Sequence, residues 1–307
     1  MFAYVVRRLL SAIPTLFIIV ALAFFMMRIA PGGPFDGQRK LPPEIEHNME
    51  VAYNLDKPIY VQFVKYLAGV FRGDFGPSFK NKDFSVSELI MIGAPVSAVL
   101  GLSALSLAFP LGLLLGTLAA LKHNSAVDTG VMALAMLGIT IPSFVIAPLL
   151  ILVFAVQLHW LPVGDWAGGD FMHLILPVTT LALGPIAVIS RLSRGSMLEV
   201  LQSNFVRTAH AKGLPGWKIM WRHVLRAGLL PLVSYLGPAA AGLMTGSLVI
   251  ERIFLLPGIG RYFVDGALNR DYTLSLGVII IYAFLIVILN LLADVAYGWL
   301  DPKVRYN

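Results

Sequence analysis

The sequence predicts an all-α membrane protein with six transmembrane helices. Two observations carry that prediction. Of 307 residues, 58% are hydrophobic and 13% charged, roughly half the charge of an ordinary soluble domain. The charges also fall in blocks, leaving apolar stretches of the about 20 residues needed to cross a hydrocarbon core of about 30 Å. The chain has no cysteine, which excludes disulfides and thiolate metal sites and leaves the redox compartment unread.

The first unit, residues 1–30, holds the first span. Leu9 to Met27 carries no charge and is flanked by Arg7-Arg8 and Arg28. The competing reading is a cleaved signal peptide. Such peptides have a shorter apolar run, about 7–15 residues, ending at a small-residue cleavage site, whereas this run ends in Met26-Met27-Arg28.

Residues 31–93 are polar and punctuated by Pro and Gly, and form a small extramembrane subdomain. Ile59, Phe63, Leu67, Val70 and Phe71 recur at helical spacing after Pro58, which predicts an amphipathic helix. Ile45, Met49 and Tyr53 predict a shorter one after Pro42-Pro43. Ser85-Val86-Ser87-Glu88 fits a capping box leading into the next span.

Residues 94–300 form the membrane core. The second span is Ala94 to Leu121. The third, Thr129 to Leu158, is longer than needed and contains Pro142 and Pro148, which kink membrane helices. Trp160 and Trp166 in the following loop suit an interfacial belt. The fourth span is His173 to Ser190, the fifth Ala227 to Ile250 and the sixth Thr273 to Tyr297, before a tail of residues 301–307. Six spans place both termini on one side. That side carries twelve Lys and Arg against four acids, and the other eleven against thirteen. By the positive-inside rule both termini are cytoplasmic and the 31–93 subdomain is periplasmic. The net charge of +6 thus speaks for membrane orientation and lipid contact, not for nucleic acid.

Residues 191–226 carry the functional signal. Phe205, Ala209, Gly213 and Trp217 fall four apart, and Ile219, Trp221 and Val224 continue an apolar–basic mixture. The pattern reads as short helices broken near Gly213-Leu214-Pro215-Gly216. One reading is a loop snorkelling its basic groups into headgroups; the other is a docking element for a cytosolic partner.

Polar or kinked positions inside spans are candidate pathway residues: Thr140, Pro142, Ser143, Ser234, Thr245, Ser247 and Asn290. Ser and Thr can instead bond their own helix carbonyls. Gly112 with Gly116, and Gly242 with Gly246, suit close helix approach. No charge is expected near mid-membrane in spans two to six, which argues against an ion-coupled carrier. An intramembrane enzyme finds no support either. There is no Gly-x-Ser-x-Gly nucleophile motif, no paired intramembrane acid and no metal-ligand spacing among the six histidines.

The segment Asn204-Phe205-Val206-Arg207-Thr208-Ala209-His210-Ala211-Lys212-Gly213-Leu214-Pro215 resembles the cytoplasmic signature loop of ABC importer permeases, often called the EAA loop. Arg207-Thr208-Ala209 stands where the general pattern has Glu-Ala-Ala, and Leu225-Arg226 stands where it has Leu-Pro. Both departures match the peptide-permease branch. Further matching stretches span nearly the whole chain. They include Arg7-Arg8-Leu9-Leu10, Ala30-Pro31-Gly32-Gly33-Pro34, Gly73-Asp74-Phe75-Gly76-Pro77-Ser78-Phe79, Leu256-Pro257-Gly258-Ile259-Gly260 and Asp301-Pro302-Lys303-Val304-Arg305.

Together they resemble the B-type subunit of oligopeptide importers. The resemblance implies a type I ABC importer permease fold, multi-pass in the bacterial inner membrane. It implies a homologous C-type permease as heterodimer partner, two ATPases below the pair with residues 207–215 as this chain's coupling loop, and a periplasmic peptide-binding protein delivering oligopeptides. The chain is then expected not to be an enzyme. It lacks a Gly-x-x-x-x-Gly-Lys-Ser/Thr phosphate cradle, so ATP and Mg²⁺ belong to the partners. The same machine carrying dipeptides, nickel chelates or another small ligand shares most of these motifs.

Overall fold

In a computed structural model, residues 2–29, 55–81 and 83–300 are described. The shorter helix expected around residues 45–53 and the tail of residues 301–307 lie outside them. The described residues are overwhelmingly helical, with one isolated antiparallel bridge between Pro77 and Ser85.

Helix α1 (Phe2–Ile29) is the first span, and Val20 and Phe24 along it are buried against the rest of the fold. Arg8 pairs with Asp294 at 3.0 Å, which brings the start of the first membrane helix and the end of the last to one end of the bundle. Helix α2 (Ile59–Val70) is the expected amphipathic helix. It packs on α1 through aromatic rings, with Phe63 at 6.0 Å from Phe17 and at 5.3 Å from both Phe24 and Phe25.

Helix α3 (Val86–Leu121) starts at the predicted capping box. Ser85 Oγ accepts from Glu88 N at 3.2 Å, and Glu88 Oε2 accepts from Ser85 N at 2.7 Å. It begins eight residues before the predicted second span because the cap, and not the edge of the apolar run, sets where the helix starts.

The segment predicted as the third span is two helices, α4 (Ala126–Thr140) and α5 (Ser143–Leu150), the latter winding on as a π-helix over Ile151–Gln157. They meet at 101°. The sequence predicts a kinked continuous helix here. The sharper break comes from Ile141-Pro142, whose extended backbone ends α4 before Pro142 caps α5. Helix α6 (Phe171–Leu201) continues eleven residues past the predicted end of the fourth span. Basic residues at the end of an apolar run limit the membrane crossing, not the helix.

Three short elements follow: α7 (Asn204–Ala211), α8 (Gly216–Ile219) with a π turn at Met220–Val224, and α9 (Leu225–Gly228). Helix α10 (Leu230–Ile253) is the fifth span, α11 (Ile259–Leu268) folds back against it, and α12 (Tyr272–Leu300) is the sixth.

Helices α3 and α6 form the most extensive pair. A Cβ on Gly116 would lie 2.3 Å from Ser190 O, and one on Gly112 would lie 2.7 Å from Ile189 Cβ. These glycines let two backbones touch, as small residues do between membrane helices. Among the described residues Gly242 has no such neighbour within 4 Å, so no close approach at Gly242 is seen among them. Around the α3–α6 contact lies the main core, including Leu100, Leu181, Ile189, Leu232, Leu243 and Phe254.

Candidate functional site

Two features stand out: a surface built by α7 to α9, and a cavity at the α4–α5 break.

The surface begins where α6 ends. Val206 and Ala209 of α7 and Ile219 and Val224 beyond it are buried against Ala120 and Met197, which anchors the hairpin to α3 and α6. The opposite face of α7 is exposed and carries Arg207, Thr208, His210 and Ala211. Thr208 Oγ1 donates to Asn204 O at 2.9 Å, and His210 Nδ1 lies 3.0 Å from Val206 O. Both side chains thus bond their own helix.

Gly213 N donates to His210 O at 2.9 Å, and Leu214 N donates to Ala209 O at 3.3 Å. This pair is a Schellman stop, which places the residue after the cap in left-handed backbone, and Gly213 has φ +74. Among the described residues nothing lies within 4 Å of a Cβ placed there, so glycine serves the turn and not a close approach among them. Lys212 caps α7, Leu214 joins the buried cluster, and Pro215 caps α8.

Phe205, Trp217 and Trp221 stay exposed at 48%, 68% and 72%, beside exposed Lys212, Lys218, Arg222 and Arg226. Of the four residues spaced four apart, Ala209 alone is buried, because the break at 212–215 turns Trp217 outward. The result is an aromatic and basic face on a buried footing.

A network on the same end of the bundle leaves no trace in local sequence. Arg194 on α6 grips Asp128 on α4 with two bonds, Nε to Oδ1 at 2.5 Å and Nη2 to Oδ2 at 2.7 Å. Asn124 N donates to the same carboxylate at 3.0 Å, and His123 Nδ1 lies 3.2 Å from it. The α3–α4 turn is thereby tied to the part of α6 that leads into α7.

The cavity, about 370 Å³, is walled by α4, α5, α6 and α10. Pro142 and Ser143 line it, as do Thr180, Pro185, Tyr235 and Gly242. Prolines from three different segments, Pro142, Pro185 and Pro238, converge on it.

The other candidate pathway residues sit elsewhere. Thr140 ends α4 and is exposed. Ser234 Oγ donates to Leu230 O at 3.4 Å, and Thr245 Oγ1 to Ala241 O at 2.9 Å, each within its own helix. Asn290 lies on α12 where Gly237 of α10 crosses it.

Ser247 points to a site the sequence conceals. Its Oγ is 2.7 Å from Oε1 of Glu251, a carboxylate with no exposed surface. Ser97 Oγ donates to the same oxygen at 2.7 Å and accepts from Ile259 N at 2.9 Å. Arg261 N donates to Glu251 Oε2 at 3.2 Å. One carboxylate thus holds the N-terminus of α11, where unpaired amides and the helix dipole favour negative charge. Cβ atoms on Gly258 and Gly260 would collide with that carboxylate. From sequence, Glu251 reads as the first residue of a loop. The signal available was the glycine pair seven and nine residues downstream.

Comparison with known proteins gives two family matches. Residues 112–306 match "Binding-protein-dependent transport system inner membrane component", and residues 1–96 match the N-terminal region of such membrane components. The chain is 55% identical over 306 residues to the oligopeptide transport system permease protein OppB of Escherichia coli K12, covering all of both chains. It is 51% identical over 306 residues to OppB of Haemophilus influenzae, again covering all of both. To the dipeptide transport system permease protein DppB of Bacillus subtilis it is 42% identical over 304 residues, 99% of this chain and 98% of the relative. Among solved structures, an inward-facing form of the MetNI methionine ABC transporter aligns with a TM-score of 0.59 at 16% identity. It covers 69% of this chain and 96% of that one, a likeness of fold.

Proposed function

The chain belongs to the family of binding-protein-dependent transport system inner membrane components, and from that premise we propose that it forms half of the pathway by which an ATP-driven importer passes oligopeptides across the bacterial inner membrane. It is the multi-pass permease subunit of a peptide importer, not an enzyme. Oligopeptides are the assigned cargo, since the match to oligopeptide permeases is 55% and that to a dipeptide permease 42%, both over nearly full length.

The single observation that carries the mechanism is the continuity of α6. One helix walls the membrane cavity through Thr180, Leu181 and Pro185, then runs on to Leu201, and the two-residue turn Gln202-Ser203 joins it to α7. A push on the α7–α8 face reaches a cavity wall through that short turn and through the packing of Val206 and Ala209 against Met197. We assign the exposed face of residues 207–215, with Phe205, Trp217 and Trp221, as the ATPase-docking surface. Exposed aromatic and Arg side chains are favoured anchors in protein interfaces. Each of two ATPases would engage one permease, this chain or its C-type partner, with ATP and Mg²⁺ bound entirely by the ATPases.

In this topology α7 is cytoplasmic, both termini are cytoplasmic, and the α1–α3 connection is periplasmic and faces the peptide-binding protein. The cavity at the α4–α5 break is the segment of pathway that this subunit contributes. Its few polar groups, from Ser143, Thr180 and Tyr235, suit passage of varied side chains without tight selection.

Uptake by cells that lack their own peptide permeases and express this chain with its partner subunits tests the reading. Accumulation of labelled oligopeptides in preference to dipeptides is expected. Accumulation of dipeptides alone overturns the cargo, and no peptide accumulation overturns the function.

A further inference from the structure

A second cavity, about 200 Å³, shares no lining residue with the first and lies between the last turn of α1, α2 and residues 74–79. Its walls combine aromatic rings with Arg28, Gln62, Lys65, Tyr66 and Asp74. The Arg28 guanidinium stacks 5.2 Å from the Phe24 ring centre, and the Phe24 and Tyr66 rings lie 5.7 Å apart. Three buried polar atoms in this corner meet no hydrogen-bonding partner among the described residues: Arg28 Nε, Tyr66 Oη and Gln62 Oε1. The Gln62 amide nitrogen is already committed, donating to Leu55 O at 3.1 Å and to Lys57 O at 2.7 Å. Buried polar groups are paired as a rule, and each orphan costs about 1–3 kcal/mol. Three around one cavity therefore describe a complementary ligand that accepts two hydrogen bonds and donates one.

The depth of the cavity says where that ligand comes from. Arg7-Arg8 and Arg28 bracket an apolar helix, and twenty residues of helix rise about 30 Å, the thickness of the hydrocarbon core. Arg28 therefore sits at headgroup level, in the leaflet opposite the N-terminus. On the side of α1 that carries Phe24 and Arg28, Phe17, Ile13 and Leu10 continue at helical spacing toward the N-terminus, exposed at 48%, 63% and 61%. An acyl chain fits along that surface while its headgroup reaches the cavity.

We propose that this corner binds the headgroup of an outer-leaflet phospholipid, with the phosphate on Arg28 and Tyr66 and an ethanolamine ammonium on Gln62 and Asp74. A guanidinium recognises phosphate oxygens in a fixed geometry. Burial raises the Tyr66 hydroxyl above the usual phenol range, which keeps it a neutral donor. Gln62 Oε1 and the Asp74 carboxylate supply acceptors, a need that an anion alone would leave unmet. The headgroup would fasten α2 to α1. The membrane placement of α1 and the proposed cytoplasmic N-terminus enter this assignment; the cargo and the coupling surface do not.

The test uses the purified importer complex carrying this chain, stripped of loosely bound lipid. It is then incubated with vesicles of phosphatidylethanolamine, with vesicles of phosphatidylglycerol, or with inorganic phosphate. Native mass spectrometry counts what stays bound, for the wild type and for Arg28→Met and Tyr66→Phe. Tyr66→Phe keeps the ring packing, so it reads the site even where Arg28→Met assembles poorly. The expected result is a retained phosphatidylethanolamine in the wild type that Arg28→Met loses and Tyr66→Phe holds about tenfold more weakly, the effect of one hydrogen bond to a charged group. Equal phosphatidylethanolamine counts in all three proteins overturn the proposal. Retention of phosphatidylglycerol at the same level overturns the ethanolamine assignment, and protection by inorganic phosphate alone reduces the corner to a free-anion site. Loss of binding-protein docking in the variants, with lipid counts unchanged, overturns it in favour of a protein carboxylate.

Discussion

Ser97 and Glu251, 154 positions apart, meet at 2.7 Å in the interior, where one hydroxyl links a carboxylate on α10 to the first amide of α11. The bond fastens α3, α10 and α11 at a single point. Ser97→Ala removes one donor to the carboxylate and strands the Ile259 amide, at a cost of about 1–3 kcal/mol. Glu251→Ala strands several donors together and is expected to cost more, about 3–5 kcal/mol, the range for breaking a buried charged contact. Thermal unfolding of the purified complex should rank wild type above Ser97→Ala above Glu251→Ala. Equal melting temperatures would remove the clasp from the fold's stabilising contacts.

Arg194 and Asp128 make an asymmetric pair, with side chains 26% and 5% exposed. Losing Arg194 leaves a buried carboxylate with the Asn124 amide and His123, whereas losing Asp128 leaves an arginine that can reach water. Arg194→Ala should therefore destabilise more than Asp128→Ala, by about 1 kcal/mol or more. Arg194→Lys should recover part of the loss, since an ammonium cannot reproduce the two-bond grip. Denaturant or thermal melts of the three variants give the order; the reverse order contradicts the geometry.

The glycines on α3 and α10 separate two roles that their spacing alone does not. Gly116→Val pushes a side chain into Ser190 O and Ser193, and overpacking of this kind costs about 1–3 kcal/mol. Gly242→Ala projects into the cavity and should leave stability within about 0.5 kcal/mol. Gly242→Trp fills the cavity, so peptide uptake should fall while the complex still assembles. Normal uptake by Gly242→Trp would place the pathway elsewhere.

Gly213 takes a backbone conformation that costs other residues about 1–2 kcal/mol. Gly213→Val should loosen the α7–α8 turn and reduce both ATPase co-purification and uptake. Gly213→Asn should retain most of both, because Asn tolerates left-handed backbone. Equal loss in both variants would instead indicate that the docked partner needs a bare backbone there.

The contrast between what sequence conveyed and what it hid follows from range. The apolar runs marked five helices long and apolar enough to cross a membrane, and a sixth crossing when the bent α4–α5 pair counts as one, because hydropathy reports the membrane directly; Ser85 with Glu88 marked the start of α3 because a capping box is local. Hydropathy does not report helix length, so α6 beyond Ser190 read as part of a surface segment of short helices and not as a continuation of the fourth span. Nor does it report angle, so the 101° turn at Pro142 read as a kink. Asp128 and Glu251 were legible only as loop or interfacial acids, since their partners Arg194 and Ser97 stand 66 and 154 positions away. At the proposed coupling surface the motif marked residues 207–215 by resemblance, while the structure gives each its exposure and gives Gly213 its conformational reason.

ATP hydrolysis by the reconstituted complex, with the binding protein loaded in turn with oligopeptides, dipeptides or nickel, tests the central claim most directly. Stimulation chiefly by the oligopeptide-loaded protein, lost when Phe205, Trp217 and Trp221 are all replaced by Ala, is the expected result. Hydrolysis that ignores both the loaded binding protein and the α7–α8 face would contradict a peptide permease coupled through that surface.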